Sequence, residues 1–94
     1  MPETQLRRYE IKPGAMDDFL GAWRGVVPIR ERYGFRVVFA YVNDEANEFV
    51  WAIAHDDDFA AADTVYYSSP ERAAASPNPA DFIATMHLNM VRPA

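Results

Sequence analysis

The spacing of apolar residues changes period several times along the chain. From Thr4 to Lys12, Leu6, Tyr9 and Ile11 stand among charged residues, as in a half-exposed strand. Pro13-Gly14 ends that segment, and Pro13 suits the first turn of a helix, where its missing N–H is not needed. Over 15–33, Met16, Phe19, Leu20, Trp23 and Val27 fall on one helical stripe. Asp17 and Asp18 sit in its first turn and Arg30 and Arg32 in its last, as the helix dipole favours. Pro28 predicts a kink or interruption, and Gly34 a stop. "FRVVFAYV" (35–42) and "EFVWAIAH" (48–55) read as two strands joined through "NDEAN". A second helix is predicted over 57–67, with Asp57 or Asp58 as its cap. Ser69, Pro70 and Glu71 open a further short turn, 76–79 is a loop, and 80–91 is the last strand.

The order is β-α-β-β-α-β, the ferredoxin-like split arrangement, an α+β fold in one domain over 1–94. Right-handed crossovers put both helices on one face of a four-stranded antiparallel sheet. The middle strands, however, are apolar on both faces. Alternation groups Phe35, Val37, Phe39 and Tyr41 on one side, yet Val38, Ala40 and Val42 are left on the other. Two helices cover one face only, so the sequence predicts a homodimer that packs two sheets face to face.

Composition narrows the function classes. The 94 residues are one domain's worth, 50% of them hydrophobic, which suits a modest packed core. The net charge of −5 and basic residues that lie beside acids (Arg7-Arg8, Arg30-Glu31-Arg32, Arg72) argue against a nucleic-acid partner. With no cysteine, disulfides and thiolate chemistry are excluded. No apolar run reaches membrane-span length, and "MPETQLRRYE" lacks the apolar region of a signal peptide, so no membrane association and a cytoplasmic location are expected.

"RRYEIKPGAMDDFLGAWR", "IRERYGFRVVFAYV", "FVWAIAH" and "VYYSSPER" follow one another with characteristic spacing. Together they resemble the bacterial NIPSNAP family: a strand ending in a basic-Pro-Gly turn, a helix carrying a tryptophan, an "RxRxGF" entry to the second strand, and a "YY-small-SPE" segment after the second helix. The resemblance covers nearly the whole chain and implies a dimeric α+β barrel. The wider barrel superfamily holds cofactor-free monooxygenases, isomerases and haem-degrading enzymes, so the fold by itself assigns no reaction. It also implies a ligand site in each subunit, between sheet and helices. Tyr9, Trp51 and His55 share one parity on neighbouring strands, and Trp23 with Tyr66 or Tyr67 would close such a pocket around a flat hydrophobic metabolite. The same aromatics also fit a plain core, the usual fate of Trp23-like stripe residues.

The candidates for proton transfer are the two histidines. His55 opens "HDDD" and has neighbouring aspartates that favour its charged form; the alternative is a strand-end histidine beside a helix cap, with Asp56 facing away. His87 alternates with Thr85 and Asn89 opposite Met86, Leu88 and Met90, which fits either a pocket wall or a dimer interface. No HExxH, facial-triad spacing, phosphate loop or GxSxG elbow is present, so neither metal nor cofactor is called for. Two functions stay open: a small metal-free enzyme acting on an aromatic or polyketide-like metabolite, and a non-catalytic homodimeric binding or accessory protein.

Overall fold

Residues 2–94 are described in a computed structural model, and four antiparallel strands form its single sheet. They are β1 (Glu3–Ile11), β2 (Phe35–Asn43), β3 (Glu48–His55) and β4 (Ile83–Val91), in the spatial order β2-β3-β1-β4. Helices α1 (Met16–Arg32) and α2 (Phe59–Ser68) follow β1 and β3, and a single turn, α3 (Pro70–Ala73), follows α2. This is the ferredoxin-like α+β arrangement.

Phe19 and Ile29 of α1, and Phe59 and Tyr66 of α2, pack with Tyr9, Phe35, Phe49, Trp51 and Ile53 of the sheet. Both helices therefore cover one face, as a right-handed crossover requires. The buried stripe of α1 is Phe19, Ala22, Val26, Ile29 and Arg30, with Met16, Leu20 and Trp23 at its edge. Pro28 neither ends nor interrupts α1. It lies on the exposed side, where the Arg24 carbonyl that loses its N–H partner meets water. Asp58 is the cap of α2, accepting from the Ala61 N–H at 3.1 Å. Pro79–Phe82 forms a 3₁₀ turn capped by Asn78, so the last strand starts at Ile83 rather than residue 80.

The expected alternation holds on β1 and β3 but not on β4, where pairing runs Glu10↔Thr85 and then Ile11↔Ile83 and leaves Ala84 as an extra residue, nor on β2. Pairing runs Val37↔Ile53 and then Phe39↔Ala52, which leaves Val38 as an extra residue. Such a bulge exchanges the two faces beyond it. Phe35 and Val37 face the helices, and past the bulge Ala40 and Val42 do so, opposite Trp51 and Phe49. Phe39 and Tyr41 are turned onto the open face, where they are 36% and 67% exposed. The grouping of Phe35, Val37, Phe39 and Tyr41 on one side is thus corrected.

Candidate functional site

Helix-facing positions of β1 and β3 bring Tyr9 and Trp51 beneath Trp23, Val26 and Arg30 of α1. Tyr66 and Tyr67 of α2, Arg72 of α3, and Pro79, Ile83 and Met86 complete the walls of a cavity of about 30 Å³. That volume holds roughly one or two water molecules. Trp23 meets Trp51 edge to face, with centroids 5.4 Å apart, and Tyr66 meets Tyr67 at 4.9 Å. Such contacts fix ring positions as well as bury area. The structure so brings together Tyr9, Trp23, Trp51, Tyr66 and Tyr67, all five of the aromatic residues expected to line a pocket.

Around these rings lies a set of arginines that the sequence pattern did not single out. Arg7 is 1% exposed and Arg30 2%. Arg7 donates from Nε to the Tyr9 hydroxyl (2.6 Å), from Nη1 to Gln5 Oε1 (2.6 Å) and from Nη2 to the Tyr67 hydroxyl (3.0 Å). Arg30 pairs with Asp63 at 2.7 Å, donates to the same Tyr67 oxygen at 3.1 Å, and lies over the Tyr66 ring, 4.1 Å from its centroid. Arg72 donates to Asn78 Oδ1 at 3.0 Å. Both were visible in principle. Arg7 shares the parity of Tyr9, and Arg30 lies seven residues, two helical turns, beyond Trp23.

The hydrogen-bonding balance is one-sided. The indole N–H groups of Trp23 and Trp51 and the Nε of Arg72 are buried without an acceptor. Burial pushes the Tyr9 phenol pKa up, although Arg7 pulls the other way, and burial does the same at Tyr66 against the pull of Arg30 and Arg72. A phenol whose folded pKa is raised contributes its full stability below the unfolded value near 10 and loses it as pH rises from there. Spectrophotometric titration is therefore expected to show Tyr9 and Tyr66 ionising only as the chain unfolds, above about pH 10; full ionisation of all tyrosines with native circular dichroism would contradict this.

Neither histidine lines the cavity. His55 is on the helix-facing side, at the end of β3, and both ring nitrogens are engaged by backbone: Nε2 lies 3.1 Å from the Tyr33 carbonyl oxygen, and Nδ1 accepts from the Asp57 N–H at 3.1 Å. This arrangement calls for the neutral ring with its proton on Nε2. Gly34 allows it: its φ is +90°, and a Cβ there would lie 2.7 Å from His55 Nε2. Asp56 turns to Arg36 at 2.7 Å, so the "HDDD" run is a strand-to-helix junction. His87 is on the open face, 2.7 Å from Glu10 Oε2. The expected pocket-mouth histidine is thus not found: strand alternation gives the face of His55 but not its distance from Tyr9 and Trp51. Among the described residues, no three His, Cys, Asp or Glu side chains gather where a metal ion could be held.

A four-stranded sheet with two helices on one face and an aromatic cavity between the layers defines a ferredoxin-like α+β domain. The chain belongs to the NIPSNAP family, whose model matches residues 4–94. It is similar to a solved NIPSNAP domain protein from Burkholderia xenovorans, with 23% identity, a TM-score of 0.85, and 100% of this chain and 95% of that one covered. It is also similar to a NIPSNAP family protein from Agrobacterium tumefaciens, with 17% identity, a TM-score of 0.88, and 100% and 94% covered. A putative antibiotic biosynthesis monooxygenase from Bacteroides thetaiotaomicron shares the fold at 18% identity and a TM-score of 0.77, with 98% and 89% covered. No curated protein matches the chain.

Proposed function

We propose that this NIPSNAP protein is a homodimer that holds a small aromatic or apolar metabolite in the cavity between sheet and helices, without a metal. The observation that carries the reading is the set of unpartnered indole N–H groups of Trp23 and Trp51 at one cavity. A merely structural core would bury indoles with their N–H groups satisfied. Met86 is 41% exposed and supplies a flexible wall that can yield to a ligand larger than the resting volume. The geometry favours binding and orientation over histidine-based proton transfer, since His55 and His87 are committed elsewhere. If a reaction occurs here, Tyr9 and Tyr67 are the hydroxyls placed to meet it.

The second copy is argued from the open face. Phe39 and Tyr41 stand there uncovered, flanked by Leu6, Val50 and Ala52 on the same side. The arginines on this face are already paired within the chain, Arg8 with Glu48 and Arg36 with Asp56, and Glu10 Oε2 is hydrogen-bonded to His87 Nε2. A face with exposed aromatics at its centre, whose arginines already have partners within the chain, suits its own copy better than a charged partner.

The protein's two tryptophans both line the cavity, so tryptophan emission reports on it directly. A panel of small aromatic solutes is expected to shift that emission saturably. A linear, unsaturable response to every member would remove the ligand reading.

A further inference from the structure

We infer that the molecule held between sheet and helices is a monoanion, an apolar carboxylic acid bound as its carboxylate; this rests on the cavity being a ligand site. Arg7 is the starting point. It is 1% exposed, and among the described residues it has no carboxylate within ion-pairing distance. Its hydrogen-bond acceptors, Tyr9, Gln5 and Tyr67, are all neutral groups. Burial works against its charge, but the Tyr9 and Tyr67 oxygens and Asp63 outweigh burial, so its pKa is raised, and a guanidinium does not give up its proton in a protein. A buried cation without a counter-ion is costly, and natural structures almost always pair it.

Arg7 does not itself line the cavity, but it acts on what does. By donating to the Tyr9 and Tyr67 oxygens, it takes one acceptor site on each, and Arg30 takes the second on Tyr67. Their hydroxyl protons are left to donate, and among the described residues no side-chain acceptor takes either one. The Trp23 and Trp51 N–H groups and the Arg72 Nε add three further donors without acceptors. Arg30 completes the set, and no carboxylate is among the cavity walls. The side chains at this cavity thus offer more protons than they accept, and an acceptor-rich occupant satisfies them. Asp63 is matched to Arg30, and Arg72 is partly exposed, so the buried deficit is one charge, that of Arg7. A single negative charge and an aromatic surround select a carboxylate on an apolar body over a phosphate, which brings more charge and more bound water.

The test compares each acid with its neutral counterpart at constant ionic strength. Acetate, isobutyrate and benzoate are titrated against ethanol, isobutanol and benzyl alcohol, with sodium chloride as the balancing salt and as a separate titrant. Tryptophan emission and melting temperature are the readouts. At least one carboxylate is expected to saturate with an affinity ten times or more that of its alcohol. Arg72→Gln, which loses no carboxylate partner, should weaken that carboxylate several-fold and leave its alcohol unchanged. Equal affinity for acid and alcohol would overturn the anion inference while leaving the aromatic-ligand reading intact. An equal saturable response to chloride would overturn it in favour of an inorganic ion. No saturable response to any member would remove both.

Discussion

Asp63→Ala is expected to destabilise the protein by about 3 kcal/mol, the cost of stripping the partner from a buried charge. Arg30 is 2% exposed, and its remaining bonds go to a tyrosine hydroxyl and to aromatic faces. Among the described residues Asp63 is its only carboxylate partner, at 2.7 Å, and the Asp63 side chain is 26% exposed, which places the cost at the low end for a buried pair. A domain of this size loses about 4–8 °C of melting temperature per kcal/mol, so the variant should melt about 12–24 °C lower. Arg7 makes the effect larger, because Asp63 also offsets its charge. Replacing both partners, as in Asp63→Ala with Arg30→Met, should recover much of the loss, since no unpaired cation is left at that position. A loss of less than about 1 kcal/mol in urea or thermal unfolding would mean that the pair behaves as an ordinary surface salt bridge.

Tyr41→Glu is expected to split the proposed homodimer, changing the mass in sedimentation or light scattering from two chains to one. Tyr41 and Phe39 project from β2 onto the open face, side by side with ring centroids 5.9 Å apart. In a face-to-face pair of sheets a glutamate there would be buried without a cation, because Arg8 and Arg36 are already matched to Glu48 and Asp56. Truncating a central aromatic of an interface commonly costs about 2 kcal/mol or more, and an unpaired buried charge adds to that. The unfolding midpoint of the separated chain should then fall, since a 94-residue domain has little core to spare. A wild-type mass of one chain at micromolar concentration would contradict the dimer outright.

The bulge at Val38 shows where pattern reading reaches its limit. Residues 35–42 are apolar at odd and at even positions, so alternation carries no record of an inserted residue, and only pairing with β3 reveals it. β1 and β3 were legible because each has one clearly preferred face: Tyr9 and Ile11 on β1, and Trp51 and Ile53 on β3, point to the helices as alternation requires. Of the cavity aromatics, Tyr9 and Trp51 were legible for the same reason, whereas Trp23 came from the helical stripe and Tyr66 or Tyr67 from the family resemblance. Arg7 and Arg30 were not. Charged residues in "RRYE" and "IRERY" read as solvated or as complements to a helix dipole, and their burial depends on Tyr9 of β1 and on Asp63 and Tyr67 of α2, the latter two distant in sequence from both arginines. His55 was misleading in the opposite sense. Its run of aspartates suggested chemistry, but a turn at Gly34 and a helix cap at Asp58 account for its surroundings.

The account stands on the cavity beside Tyr9 being the place where a ligand binds. Two-dimensional ¹H–¹⁵N spectra test it most directly, because the protein's two tryptophans give two indole N–H signals and both belong to that cavity. Titration with the tightest binder from the acid and alcohol series is predicted to move both indole signals saturably, while the ring signals of His55 and His87 stay in place. Saturable movement of the histidine signals with both indole signals unmoved would place the site elsewhere and contradict the account.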